Sequence, residues 1–364
     1  MRSRRFRRHA ALILLPVAFL FAMTGDAIVP SYAPPPQVAA DASSFFVSGH
    51  SLTDRPLPDM LEDMARQGGR TLFWQRQHIG GSSIRQRSEG SEPGRPGSGY
   101  AAGTDRDGNP IDVLAAFGAG YDVLIITEWH RVLDAMLREG TAGQLRDFQD
   151  RFIAANPDGA SFFFAPWTDL SDPADPSDWI AYERAASPIW QCLVETVNRS
   201  LARGSRADRI GFIPASLALA ELVERLTSDG LPGFSGMSTP DIVAALFSDR
   251  VHLTELGTYF TAVVTYASVF GEEAATAAPP TTLDPVRAEA LRDFAIGFVA
   301  RWQAQAPAGD CDGVPVGFIL AYTGYMERTY SRPEMGYVPA QVKRLRDTAR
   351  FLWRLRSGGV RSEG

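Results

Sequence analysis

The chain has 364 residues, 45% of them hydrophobic, 10% aromatic and 21% charged, proportions that exclude a disordered, collagen-like or disulfide-dense chain and fit a folded protein with a sizeable core. Its formal charge is −6, from 36 basic and 42 acidic residues, and Lys343 is the one lysine among them. Arginines scattered along a net-acidic chain form no basic face of the kind nucleic acid requires, so nucleic acid is not an expected partner.

Residues 1–27 have the layout of a secretory signal peptide: Arg2, Arg4, Arg5, Arg7 and Arg8 precede the apolar run Ala10 to Met23, and small or turn-forming residues follow to Ala27. The run is short for the roughly 20 apolar residues of a membrane-spanning helix. Cleavage is expected near Ala27, giving an exported protein, periplasmic or secreted; the paired arginines also allow twin-arginine export. Removal of this segment leaves 31 basic and 41 acidic residues, a charge of −10. Residues 28–42, with Pro30, Pro34, Pro35 and Pro36, read as an extended Pro/Ala-rich tether.

A folded domain is expected over residues 43–275. Its elements are a strand at Ser43 to Gly49, a helix marked by Leu57, Met60, Leu61, Met64 and Ala65, and strands at Thr71 to Gln75 and Tyr121 to Thr127. A helix from Gly140 to Ala155, a strand from Ser161 to Ala165, a helix from Asp178 to Arg203 and a strand from Arg209 to Pro214 complete the series. Strands alternating with helices indicate a parallel sheet covered on both faces, which accounts for the continuous apolar runs VLIIT and FFFA. Ser88 to Pro110 is crowded with Gly, Ser, Pro and Asp and reads as a lid or a plain insertion. Residues 276–364 are expected to form a C-terminal helical extension, with helices at Pro285 to Gln305, Val316 to Arg328 and Ala340 to Arg356. Cys192 and Cys311 make an even pair, which an oxidising compartment would allow to bridge.

His50, His78, His130 and His252, the four histidines that remain after residue 27, all fall just after predicted strands or in loops before helices. In doubly wound sheets such loops converge at the carboxyl ends of the strands. Ser51 follows His50, and Asp249 precedes His252 by three residues, close enough for a direct hydrogen bond in a tight turn. A serine hydroxyl needs a base, and the imidazole needs a carboxylate to fix its tautomer, so these three residues can form a nucleophile, a general base and an orienting acid.

The segment Phe46-Val47-Ser48-Gly49-His50-Ser51-Leu52-Thr53-Asp54 resembles the first sequence block of SGNH/GDSL hydrolases, and Asp249-Arg250-Val251-His252-Leu253-Thr254-Glu255-Leu256-Gly257 resembles their last. Ile79-Gly80-Gly81-Ser82-Ser83 is similar to the second block. The resemblance covers roughly Ser43 to Phe270. It implies a flavodoxin-like three-layer α/β/α fold with Ser51 as nucleophile, His252 as general base and then acid, and Asp249 as its orienting carboxylate. It also implies an oxyanion hole built from the backbone N–H groups of Ser51 and Gly81, or Gly80 if the register slips by one. The third block departs from the pattern: Thr127-Glu128-Trp129-His130 stands where an Asn is common, and His130 is the nominated substitute donor because a ring N–H can donate and a carboxylate cannot.

The expected activity is that of an exported serine esterase removing acetyl or another short acyl group from a carbohydrate, acting on a small-molecule or polysaccharide ester without metal or organic cofactor. Acyl transfer to a polysaccharide hydroxyl and a non-catalytic carbohydrate-binding relative are the alternatives. A rival class would use the four histidines, with Asp249 or Glu128, to hold Zn²⁺. His50 and Trp167 are expected to contact substrate in the cleft, Trp167 as an aromatic wall. The last helix carries an apolar stripe of Val342, Leu345, Ala349 and Leu352 flanked by Lys343 and arginines. Its basic amphipathic character suits contact with an anionic membrane surface, but packing of the stripe on the acidic domain is the preferred reading.

Overall fold

The computed structural model describes residues 36–39, 41–89, 103–111, 117, 120–271, 277–304 and 313–356. The signal-like segment, the proline-rich start of the tether, the middle of the Gly/Ser/Pro-rich stretch and Cys311 lie outside the described residues. Five parallel strands form one sheet in the order β2-β1-β3-β4-β5, with β1 at Ser44–Gly49, β2 at Phe73–His78, β3 at Val123–Thr127, β4 at Ala160–Phe164 and β5 at Ile210–Ile213. β3, β4 and β5 are buried at every residue, as strands covered on both faces must be. The second strand lies two to three residues later than its apolar residues suggest. It is an edge strand, where Phe73 is 49% exposed and Trp74 fully buried, so polar Gln75 to Gln77 are tolerated and the apolar signal is weak.

The helices that position the site are α1 (Leu57–Gln67), the short α2 (Ile84–Glu89), α3 (Val132–Asp134, continued by a π-helical turn Ala135–Glu139) and α4 (Thr141–Ala155). They are followed by α5 (Ser177–Arg203), α6 (Ala215–Ser228), α7 (Thr239–Leu246) and α8 (Glu255–Phe270). α8 is buried along nearly its whole length and lies in the core between α1 and the later helix α9 (Pro285–Gln303). Cys192, on α5, is disulfide-bonded.

The end of the tether is part of the fold. Val38 packs on the core, Ala42 is 2% exposed and Pro36 lies against β5 at Gly211. The C-terminal helices also share the core: Trp302 of α9 stacks on Phe212 of β5 at 5.8 Å, and Tyr325 of α10 (Val316–Met326) stacks on Tyr182 of α5 at 4.4 Å. α10 runs on through a π-helical turn Glu327–Ser331 and α11 (Arg332–Met335) into α12 (Tyr337–Arg356).

α12 corrects the expected packing of the last helix. Its inward side is Ala340, Asp347 and Phe351, whereas Val342 and Leu345 are 63% and 70% exposed. The reason is electrostatic and local. Asp347 enters the interface already paired with Lys343 at 3.0 Å and near Arg138 at 3.7 Å, so the polar side of the helix can face the protein. Among the described residues no helix is long and apolar enough to cross a membrane.

Candidate active site

Strand order 2-1-3-4-5 places the reversal of strand order between β1 and β3, and in such sheets ligands bind outside the carboxyl ends of the strands at this point. Ser51 sits there, exposed, on the single 3₁₀ turn Ser51–Thr53 that follows β1. Gly49 makes that turn possible: a Cβ on it would lie 1.9 Å from Thr53 Oγ1 and 3.2 Å from Thr127 Cγ2. His50 is the N-cap of the turn. Its Nε2–H donates to the Glu128 carbonyl at 2.9 Å and its Nδ1 accepts from Leu52 N–H at 3.4 Å. Burial, and then the positive charge of Arg87, lower the His50 pKa to about 3, so the ring is neutral with both nitrogens engaged. The expectation that His50 contacts substrate is therefore corrected; it is a buried cap that holds the Ser51 turn against the end of β3.

Two buried charges underlie this corner: Arg87, which the sequence did not mark, and Glu128, which it offered only as a metal ligand. Arg87 of α2, with no exposed surface, donates from Nε to Ser48 Oγ at 2.9 Å, from Nη1 to Ser82 O and Oγ at 3.0 and 2.6 Å, and from Nη2 to the Thr127 carbonyl. Ser48 Oγ donates to Gln77 Oε1 at 3.1 Å, and Gln77 Nε2 donates to the Arg87 carbonyl at 3.0 Å. The Arg87 side chain thus ties the ends of β1 and β3 to the loop that carries Gly80 and Gly81, and Gln77 joins β2 to the same network. Burial lowers the guanidinium pKa to about 10, against the pull of Glu128. Glu128 is itself fully buried and accepts from Ile84 N–H at 3.0 Å, Trp129 N–H at 2.6 Å and Thr141 Oγ1 at 2.6 Å. Burial raises its pKa, while these hydrogen bonds and Arg87 draw it back down.

The His252 side is built from an exposed turn before α8. Asp249 Oδ1 accepts from the N–H groups of Val251 at 2.8 Å and His252 at 2.7 Å, and Asp249 Oδ2 lies 2.7 Å from His252 Nδ1. Burial pushes the Asp249 carboxyl up, but the hydrogen bonds from the His252 ring and the two N–H groups outweigh it and hold the pKa below the ordinary carboxylate range. With Nδ1–H donating to Asp249, Nε2 is left as the basic nitrogen. The turn leans on the loop after β4: Trp167 Nε1–H donates to Val251 O at 2.7 Å, Leu170 N–H to Arg250 O at 2.7 Å, and Arg250 Nε–H back to Leu170 O at 3.0 Å.

Ser51 and His252 line one cavity of about 250 Å³, together with Asp54, Arg55, Trp167 and Thr258. No hydrogen bond joins Ser51 to His252 among the described residues. Gly81 is exposed with φ +65°, in the turn closed by the hydrogen bond from Ser82 N–H to Ile79 O at 3.2 Å, and Ile79 N–H donates to Gly49 O at 3.1 Å. The backbone N–H groups of Ser51 and Gly81 are engaged by no other described residue. Gly80 is exposed in the same turn.

Other expected site residues fall elsewhere. Trp167 borders the cavity but is 1% exposed, and its indole N–H is committed to the His252 turn, so it supports the cavity and offers no open aromatic wall. His130 is not among the residues lining the cavity. Its ring stacks on Tyr330 at 6.0 Å with Nε2 4.0 Å from Asp169 Oδ1, and burial lowers its pKa to about 3. Gly80 and Gly81 lie outside that lining as well; it is the burial of the ring against Tyr330 that corrects the nomination of His130 as oxyanion donor. His78 Nε2 lies 3.4 Å from Asp54 Oδ2, beside the Arg76–Asp54 ion pair. Among the described residues no three His, Cys, Asp or Glu side chains gather as a metal would require.

No protein-family model and no curated protein sequence matches the chain. Among solved structures, a DUF4886 family protein from Bacteroides uniformis superposes with a TM-score of 0.51 at 14% identity, covering 73% of this chain and 98% of that one. The acetylxylan esterase Axe2 from Geobacillus stearothermophilus, in a catalytic mutant, gives a TM-score of 0.39 at 13% identity over 64% of this chain and 96% of its own. The first likeness agrees with the α/β architecture described above, a parallel five-stranded sheet flanked by helices.

Proposed function

We propose that the protein is a serine hydrolase that cleaves a carboxylic ester through an acyl-enzyme on Ser51. The observation that carries this reading is the cavity shared by Ser51 and His252, with His252 oriented by Asp249 at 2.7 Å. In the first step His252 Nε2 takes the Ser51 proton as Oγ attacks the ester carbonyl. Negative charge on the carbonyl oxygen is met by the N–H groups of Ser51 and Gly81, and the His252 imidazolium then protonates the leaving alkoxide. Water deprotonated by His252 attacks the acyl carbonyl and releases the acid, restoring Ser51.

A cavity of about 250 Å³ suits acetyl or another short acyl group. Export and a carbohydrate leaving group belong to the proposal through the signal-like N-terminus and the resemblance of the sequence blocks. The test is a fluorophosphonate probe on the intact protein, followed by turnover of p-nitrophenyl acetate and acetylated sugars. Covalent labelling that disappears in Ser51→Ala, with turnover falling at least about 10³-fold, is expected. Full turnover by Ser51→Ala, or chelator-sensitive turnover without labelling, overturns the mechanism.

A further inference from the structure

Among the described residues, ten large hydrophobic side chains are exposed, and eight of them lie between Val316 and Trp353. α12 concentrates them. Val338, Val342, Leu345, Ala349 and Trp353 stand at i, i+4, i+7, i+11 and i+15, which places them on one side of a helix. Val338, Val342, Leu345 and Trp353 are 63–70% exposed, and Ala349 is exposed between them. The opposite side, Ala340, Asp347 and Phe351, is the one buried against the protein. The outward side of the helix is therefore apolar.

The charges beside this stripe have one sign. Arg346 and Arg350 flank it and Arg356 ends it, all three exposed. The single acid of α12, Asp347, is on the buried side, paired with Lys343 at 3.0 Å and touched by Arg346 at 3.4 Å, which leaves Arg350 and Arg356 without an acid on their own helix. A second copy of the same helix would bring arginines against arginines, the reverse of the complementary flanking charges that specify paired helices. An anionic lipid surface meets both features: the apolar side chains enter the headgroup boundary and the arginine guanidinium groups remain among the phosphates.

We infer that α12 is a peripheral membrane-docking helix, its Val338–Trp353 stripe seated on an anionic lipid surface and oriented by Arg346, Arg350 and Arg356. The acidic remainder of the protein opposes approach, but over a Debye length of about 10 Å at ~0.1 M salt, so an outward-facing basic helix dominates at contact. The inference is independent of the hydrolase chemistry.

The test is cosedimentation of the full chain with vesicles of phosphatidylglycerol and phosphatidylcholine, against phosphatidylcholine alone. Binding is expected to the anionic vesicles and to fall with salt. Arg346→Gln with Arg350→Gln should weaken it by about 25-fold, roughly fivefold for each arginine near the surface. Leu345→Glu should abolish it without lowering thermal stability, because Leu345 is exposed. Quenching of tryptophan emission by brominated lipid should be greater in the parent than in Trp353→Phe. Binding that survives Leu345→Glu, or equal binding to both vesicle types, overturns the inference. So does a dimer in sedimentation velocity that Leu345→Glu converts to monomer, which would make the stripe a contact between copies.

Discussion

The turn that carries Ser51 rests on Arg87 and Glu128, both without exposed surface and bonded to several elements, whereas the turn that carries His252 stands at the surface, with the side chain of Asp249 54% and that of His252 45% exposed. Desolvated charges hold only as a set, because removing one member strands the others. An exposed turn closed by short-range hydrogen bonds loses little stability when one group changes, but its chemistry depends on that group's orientation. The nucleophile side is thus expected to be sensitive in stability, and the base side in rate.

The largest effect that would sharpen this contrast is on the base side. Asp249→Asn removes the acceptor that fixes the His252 tautomer, and turnover should fall by roughly 10⁴-fold while the melting temperature barely moves. Esterase kinetics and a thermal scan on the same preparation check it. Arg87→Met should do the opposite. It leaves Glu128 buried without its cation and four acceptors without their donor, at about 3–5 kcal/mol, read by urea unfolding. Equal loss of stability in the two variants would break the comparison.

A third prediction concerns the support behind the base turn. Glu183 Oε1 accepts from Thr168 N–H at 2.7 Å and Oγ1 at 2.6 Å, and burial raises its pKa to about 8 against those hydrogen bonds. Because the folded value lies above the ordinary one, the contribution to stability is full below the ordinary carboxylate range and is lost as pH rises towards about 8. Glu183→Gln should flatten that slope, so that the variant gains on the parent as unfolding is measured at increasing pH. The smallest effect is expected for Trp167→Phe, which deletes the donor to Val251 O and leaves part of a buried ring's volume empty, at about 1–2 kcal/mol.

Much of the framework was legible because it follows from hydrophobic runs. VLIIT and FFFA read as strands buried on both faces and are so, whereas the close approaches at the glycines of the first and last blocks show only in the fold. Gly257 is one of these, since a Cβ there would meet the Leu246 carbonyl at 2.3 Å. The Asp249–His252 pair was legible because a three-residue spacing brings the two groups together within one turn. Arg87 was not: one arginine in an arginine-rich chain carries no local mark of burial, and only the convergence of Ser48, Ser82 and Thr127 around it gives it a role. His50 and His130 were misread for a related reason. A histidine after a strand is equally placed to face a ligand or to cap a turn, and the choice depends on acceptors from elements distant in sequence. The side on which α12 packs was likewise hidden, because its two faces differ in charge pairing as much as in apolarity.

Strand order has a temporal consequence. β1 reaches its neighbour β3 across the sheet's reversal, and the base arrives only with the turn before α8, about 200 residues after Ser51. A chain made only as far as β5 would hold Ser51 without His252 and, on the proposed mechanism, would be inert towards esters. On the proposed mechanism, catalytic competence would wait for the turn before α8, and ester turnover would report that this turn has docked beside the end of β1.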